Sequence, residues 1–233
     1  MLKINKDEVY VINQPKHIAT YILVVGNEFP LLDSVHEKLG ELNGVYDLLL
    51  VFSPDHFPAQ KEIDYDKFAS LYESCAWIVS GGDLGATIFK LLRYSREIFH
   101  HRAFLISNTS EVGNIEPDKL WKLVMSPIIK PVMEIGRLST DELYDIYSKK
   151  ELSWNLFSRT EDSRVNRYCS YRVESDVMFF RDTTIDVILD FFENIDPEFV
   201  RTFSSEDVRY MFGSMVKRLG LDYLDMDYNE VQV

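Results

Sequence analysis

Residues 76–87, AWIVSGGDLGAT, place paired glycines, a carboxylate and a third glycine between an apolar run and a helix-like segment. Gly81 and Gly82 permit backbone angles that side chains forbid, and Asp83 suits the capping of orphan amides at a helix start. With the amides of Gly82 to Gly85 free, and Thr87 and Lys90 a turn further on, such a turn can hold a nucleotide or a sugar phosphate. Asp83 works against that chemistry. A carboxylate there repels a phosphate by about 1 kcal/mol or more when partly buried, unless it caps the helix or binds ribose hydroxyls. The full dinucleotide fingerprint is absent, and no Lys-Ser/Thr pair follows as in a P-loop. A plain capped turn accounts for the same residues and is the favoured reading.

Two other groups of residues carry reactive side chains. Ser53-Pro54-Asp55-His56 offers a hydroxyl, a carboxylate and an imidazole, but three neighbours in one loop rarely converge as a nucleophile, base and orienting acid. The loop reads as a Pro-Asp turn with an exposed His, or as part of a ligand rim shared with the Gly turn. His100-His101-Arg102 closes the helix that follows Asp83, where cations complement the negative end of the helix dipole. With Lys90, Arg93 and Arg96 they would form a positive strip. Cys75 and Cys169 lie far apart, and no CxxC or Cys/His spacing points to a metal site or a disulfide framework.

The elements that position these residues come from an ordinary globular composition. The 233 residues are 46% hydrophobic and 13% aromatic, ample for a buried core. Lys and Arg number 25 against 38 Asp and Glu, a formal net charge of -13. Nucleic-acid binding is disfavoured, because neutralising phosphates needs clustered cations. The first residues, MLKINKDEVYVINQPK, carry acids and a proline where a secretion signal needs an apolar run, and no segment approaches a membrane span. A cytoplasmic location is expected.

Ile18 to Val25 reads as a first central strand, followed by a helix opened by Pro30 and stopped at Asn43-Gly44. Tyr46 to Phe52 is the second strand, Tyr65 to Cys75 a helix, and AWIVS the third strand. Thr87 to His100 is a long helix, Arg102 to Ser107 the fourth strand, Glu116-Pro117 the start of a helix through Val124, and Pro127 to Ile129 a short fifth strand. This alternation predicts a flavodoxin-like, doubly wound, mostly parallel five-stranded sheet. Two units are expected: an α/β domain over residues 1–133 and a mainly helical portion over 134–233. The latter has a capping box at Ser139 to Glu142, a hairpin from Tyr168–Val173 and Val177–Phe180, and a final helix from Ser205 ended by Gly220.

On these residues the N-terminal part, roughly Tyr21 to Pro131, resembles the receiver domain of response regulators. YILVVGNEFPLLDSVHEKL is similar to a receiver's opening strand and helix, AWIVSGG to its third strand, FLISNTS to its fourth, and IIKP to its fifth with the Lys-Pro. Ser107 and Lys130 are spaced like the hydroxyl and lysine of the receiver switch. The magnesium-binding acids would fall on Gly26 and Asn27, leaving Glu28 nearby, and the phospho-accepting aspartate on Ser80 or Gly81. Phosphoryl transfer needs a carboxylate nucleophile and a metal held by carboxylates. The resemblance therefore implies a receiver-like domain that is not phosphorylated and works by binding partners or a small ligand.

The sequence thus predicts a regulatory or binding protein, with a protein partner or a small anionic ligand such as a nucleotide or phosphorylated small molecule. Its ligand edge comprises Gly26, Asn27, Ser53, Gly81, Gly82, Asp83, Gly85, Thr87 and Ser107. The alternative is a nucleotide- or phospho-sugar-utilising transferase or hydrolase that uses the GGDLG turn. No catalytic residue or cofactor is singled out, and no metal site is expected.

Overall fold

A computed structural model describes residues 2–4, 9–11, 15–25, 33–52, 70, 75–79, 84–127, 130–133, 135–142, 171–174, 177–193, 205–221 and 223. Its strands are β1 (Leu2–Ile4), β2 (Val9–Val11), β3 (Ala19–Val25), β4 (Asp47–Phe52), β5 (Cys75–Val79), β6 (Ala103–Asn108), β7 (Ile135–Arg137), β8 (Tyr171–Val173) and β9 (Val177–Arg181). The helices are α1 (Asp33–Asn43), α2 (Leu84–Glu97), α3 (Pro117–Met125), α4 (Asp182–Glu193) and α5 (Ser205–Arg218), with a 3-10 helix at Thr109–Asn114.

Seven strands form one sheet in the order β1-β2-β5-β4-β3-β6-β9, and β7 pairs with β8 in a second. The four central strands, β5, β4, β3 and β6, are parallel, while β2 and β9 flank them antiparallel. This is a Rossmann-like α/β fold. β3, ATYILVV, is buried along its whole length because helices cover both faces, which is why it reads as a continuous apolar run. Its side chains alternate between two cores. Ile22 and Val24 join Ile88, Phe89 and Leu92 of α2, Ile185 and Ile188 of α4, and Phe212 and Met215 of α5. Tyr21, Leu23 and Val25 face Leu39 and Leu42 of α1, Val112 of the 3-10 helix, and Leu123 and Val124 of α3.

The order of the parallel strands corrects the flavodoxin-like expectation. In that arrangement the first strand lies between the second and third, whereas here β3 lies between the second, β4, and the fourth, β6. The five-stranded expectation is also corrected. The place beside β6 is taken by β9, running antiparallel in register Ala103↔Arg181 through Ser107↔Val177. Ile128 and Ile129 of the expected fifth strand lie outside the described residues, and Val132, beyond them, exchanges backbone hydrogen bonds of 2.9 and 3.0 Å with Phe179. Strand length and hydrophobicity were readable from sequence, but pairing partners depend on contacts between distant segments.

The same reason separates the expected hairpin. β8 pairs with β7 and β9 with β6, so the two segments around Glu174 belong to different sheets. α5 approaches β8 so closely that a Cβ on Gly213 would stand 2.6 Å from the backbone carbon of Arg172. The helix ends at Gly220, whose φ of 63° favours glycine, with Leu221 N–H donating to the Val216 carbonyl at 3.0 Å. The capping box at Ser139 forms: its N–H and hydroxyl donate to Glu142 Oε2 at 2.8 and 2.7 Å, and Glu142 N–H donates to Ser139 Oγ at 3.3 Å. Cys75 opens β5 rather than ending a helix.

Candidate functional site

The carboxyl ends of the parallel strands finish at one level. Val25 pairs with Phe52, Phe52 with Val79, and Val24 with Asn108. Because β4 lies on one side of β3 and β6 on the other, the chain leaves the sheet in opposite directions from neighbouring strands. That reversal opens a crevice beyond the strand ends in open α/β sheets. The crevice edge is therefore the edge to which the expected site residues belong in sequence.

Of those residues, Gly26, Asn27, Ser53, Gly81, Gly82 and Asp83 lie outside the described residues, as does the Ser53-Pro54-Asp55-His56 loop. β5 ends at Val79 and α2 begins at Leu84, three positions earlier than the sequence suggests, so Gly85 and Thr87 lie in the helix's first turn. Asp83 stands at the N-cap position in sequence. Thr87 is buried. Ser107 is buried too, with its hydroxyl spent inside the protein: it lies 2.6 Å from Tyr21 Oη and donates to the Asn108 carbonyl at 3.2 Å. Thr109, next along, donates its hydroxyl to the Val24 carbonyl at 3.2 Å, tying β6 to β3 at the carboxyl edge. Between them Asn108 is half-buried and ends β6 in an extended conformation, its carboxamide making no cap bond to the 3-10 helix. Sequence reasoning missed Asn108, since nothing in FLISNTS marks it as the strand end at the point of reversal.

A second polar group sits at the opposite, amino edge. Thr20 and Asp47 are partners on β3 and β4, and His101 precedes β6. His101 Nδ1 meets the Thr20 hydroxyl, and Nε2 lies 2.8 Å from Asp47 Oδ2, close enough to pair but not aligned for a hydrogen bond. Asp47 Oδ1 accepts the Lys16 N–H at 2.9 Å and the His17 N–H at 3.3 Å. The series of hydroxyl, imidazole and carboxylate has the composition of a nucleophile triad. Its hydroxyl is 0% exposed, however, so no substrate reaches it, and the group is architecture.

His101 is thereby not the exposed helix-end cation expected. α2 stops at Glu97, His100 takes a φ of 57°, and the chain turns His101 inward. Two cations of the expected positive strip are paired with acids. Arg96 Nε donates to Asp186 at 2.8 Å, its pKa raised chiefly by that bond, and Arg93 lies 3.9 Å from Glu97. Among the described residues no group of three or more His, Cys, Asp or Glu is placed to hold a metal ion, and no helix is long and apolar enough to cross a membrane.

No protein-family model matches the chain, and no curated protein matches it. Solved structures do. A 4-diphosphocytidyl-2C-methyl-D-erythritol synthase is 12% identical with a TM-score of 0.46, covering 89% of this chain and 87% of its own. The synthase from Anaerococcus prevotii is 10% identical with a TM-score of 0.48, covering 93% of both chains. A structure described as a nucleotide-diphospho-sugar transferase, from Desulfovibrio desulfuricans, is 8% identical with a TM-score of 0.47, covering 91% of this chain and 80% of its own.

None of these three structures is described as a response regulator. The receiver resemblance is corrected first by the strand order, since a receiver has the flavodoxin-like order and this chain does not. The regulatory, partner-binding reading was drawn from that resemblance and is corrected with it. Local strand and helix patterns are shared by both architectures, which is why the sequence alone led there.

Proposed function

We propose that the chain is a nucleotide- or phospho-sugar-utilising enzyme, a transferase or hydrolase, that binds its substrate over the GGDLG turn. The observation that carries this reading is the parallel order β5-β4-β3-β6 with strand ends in register. It puts the reversal point beside β3, and α2 starts at Leu84, right after Gly81-Gly82-Asp83 in sequence, where helix amides favour an anion. In this reading the amides of Gly82 to Gly85 hold phosphate, Asp83 caps α2 or binds ribose hydroxyls, and Gly26, Asn27 and Ser53 line the rest of the edge.

Millimolar ATP, CTP, GTP, UTP and UDP-glucose, each added to the purified chain, should include at least one that raises the melting temperature, because binding to the native state stabilises it by mass action. Gly82→Val should remove that response, since a branched side chain forbids backbone angles that glycine permits. Asp83→Asn retains capping while removing charge, and should tighten a phosphate bound at this turn. Absence of any response in the wild type, or an undiminished response in Gly82→Val, overturns the assignment.

A further inference from the structure

Asn108 is the one residue of the segment 107–109 whose side chain is not spent on the protein. Ser107 and Thr109 commit their hydroxyls to Tyr21, the Asn108 carbonyl and the Val24 carbonyl, whereas the Asn108 carboxamide has no hydrogen-bond partner among the described residues. Its direction follows from the strand. Phe104 and Ile106 lie in the core shared with α2, while Ala103 and Leu105 lie in the opposite core, and Ser107 points with them to Tyr21. With φ -89° and ψ 164°, Asn108 continues the alternation, so its carboxamide belongs to the face on which α2 packs. It stands beside Val24, at the reversal point between β3 and β6.

A half-buried amide left open there, on the face where α2 begins, is a recognition group. Its chemistry selects the ligand atom. A carboxamide offers both donors and an acceptor, which suits a hydroxyl that also donates and accepts, whereas a phosphate oxygen uses only the donor half. We infer that Asn108 reads the ribose hydroxyls of the bound nucleotide. This rests on the nucleotide reading above and specifies which part of the ligand meets the β6 end of the crevice.

The test compares wild type, Asn108→Ala and Asn108→Asp for binding of ATP, CTP, GTP and UTP and their 2′-deoxy counterparts by titration calorimetry. The wild type should prefer the ribonucleotide. Asn108→Ala should weaken the ribonucleotide about 3- to 10-fold, the range of one or two net hydrogen bonds, and abolish the preference over the deoxy form. Asn108→Asp should keep most of that preference, because a carboxylate still accepts from hydroxyls. Unchanged affinity and preference in Asn108→Ala overturns the inference while leaving the nucleotide reading standing. So does a loss in Asn108→Asp greater than in Asn108→Ala, which would place phosphate at this position. A wild type that binds none of the eight probes overturns the nucleotide reading and this inference together.

Discussion

The two edges of the parallel sheet treat their polar residues in opposite ways. At the amino edge, Thr20, His101 and Asp47 are each 4% exposed or less, and Asp47 gathers the Lys16 and His17 amides as well as the imidazole. At the carboxyl edge, Ser107 and Thr109 are equally committed, but Asn108 between them is half-buried and makes no side-chain hydrogen bond among the described residues. The contrast separates two uses of a buried or half-buried polar group. One that meets its partners inside the protein holds strands together, and a change there costs stability. One that has no partner among the described residues carries no such load, and a change there should leave stability nearly untouched.

The largest effect should come from breaking the closed edge. Asp47→Ala leaves two backbone amides and the His101 ring without their carboxylate, and should cost roughly 3 kcal/mol, as for loss of one partner from a buried charged network. Thermal melting should show this as a drop of about 10 °C in a domain of this size, with any nucleotide-induced shift intact. Loss of the nucleotide response in a folded Asp47→Ala protein would erase the distinction between the edges.

A smaller effect sharpens the assignment within the carboxyl edge. Ser107→Ala removes the Ser107 hydroxyl from the buried Tyr21 phenol and should cost about 1–2 kcal/mol in chemical denaturation. Nucleotide affinity should not change, in contrast to Asn108→Ala. Were Ser107→Ala to weaken binding as much as Asn108→Ala, the committed hydroxyl would belong to the ligand site after all.

The smallest effect lies away from both edges, at the capping box. The Ser139 N–H, then its hydroxyl, and to a smaller extent Arg172, 2.7 Å away, hold the Glu142 carboxyl below the usual 4.5. A lowered folded-state pKa gives stability that is present above the unfolded value and fades as pH falls through the folded one. Ser139→Ala should move the Glu142 titration, followed by NMR, part of the way back up. Glu142 is solvent-exposed, so global stability near neutral pH should barely register the change. A titration that stays put would mean that the hydroxyl bond does not form.

Much of this molecule was legible because its elements are locally encoded. Ala19–Val25 is a strand by its unbroken branched apolar run, Ser139 and Glu142 form a capping box by their three-residue spacing, and Gly220 ends α5 because a left-handed residue is needed there. Of the expected site residues, only Gly85, Thr87 and Ser107 lie within the described residues. A glycine turn after an apolar run marks a strand-to-helix edge, yet Asn108, at the far end of that edge, has no local signature. His101 was misread for a related reason: a cation near a helix end suits the dipole, and only its distant partner Asp47 turns it into a core residue.

By itself, then, the chain determined the central strands Ala19–Val25, Asp47–Phe52 and Ala103–Asn108, that both faces of them are covered, and the glycine that ends α5, since these depend on propensity and periodicity within a few residues, whereas β1, β2 and β7 carry no such signal. Tertiary structure alone decided that β3 lies between β4 and β6, that β9 flanks β6, and that Asp47 meets His101. Those outcomes depend on which of several similar apolar edges associate, a choice made by the packing of the whole chain and not by any one stretch of it.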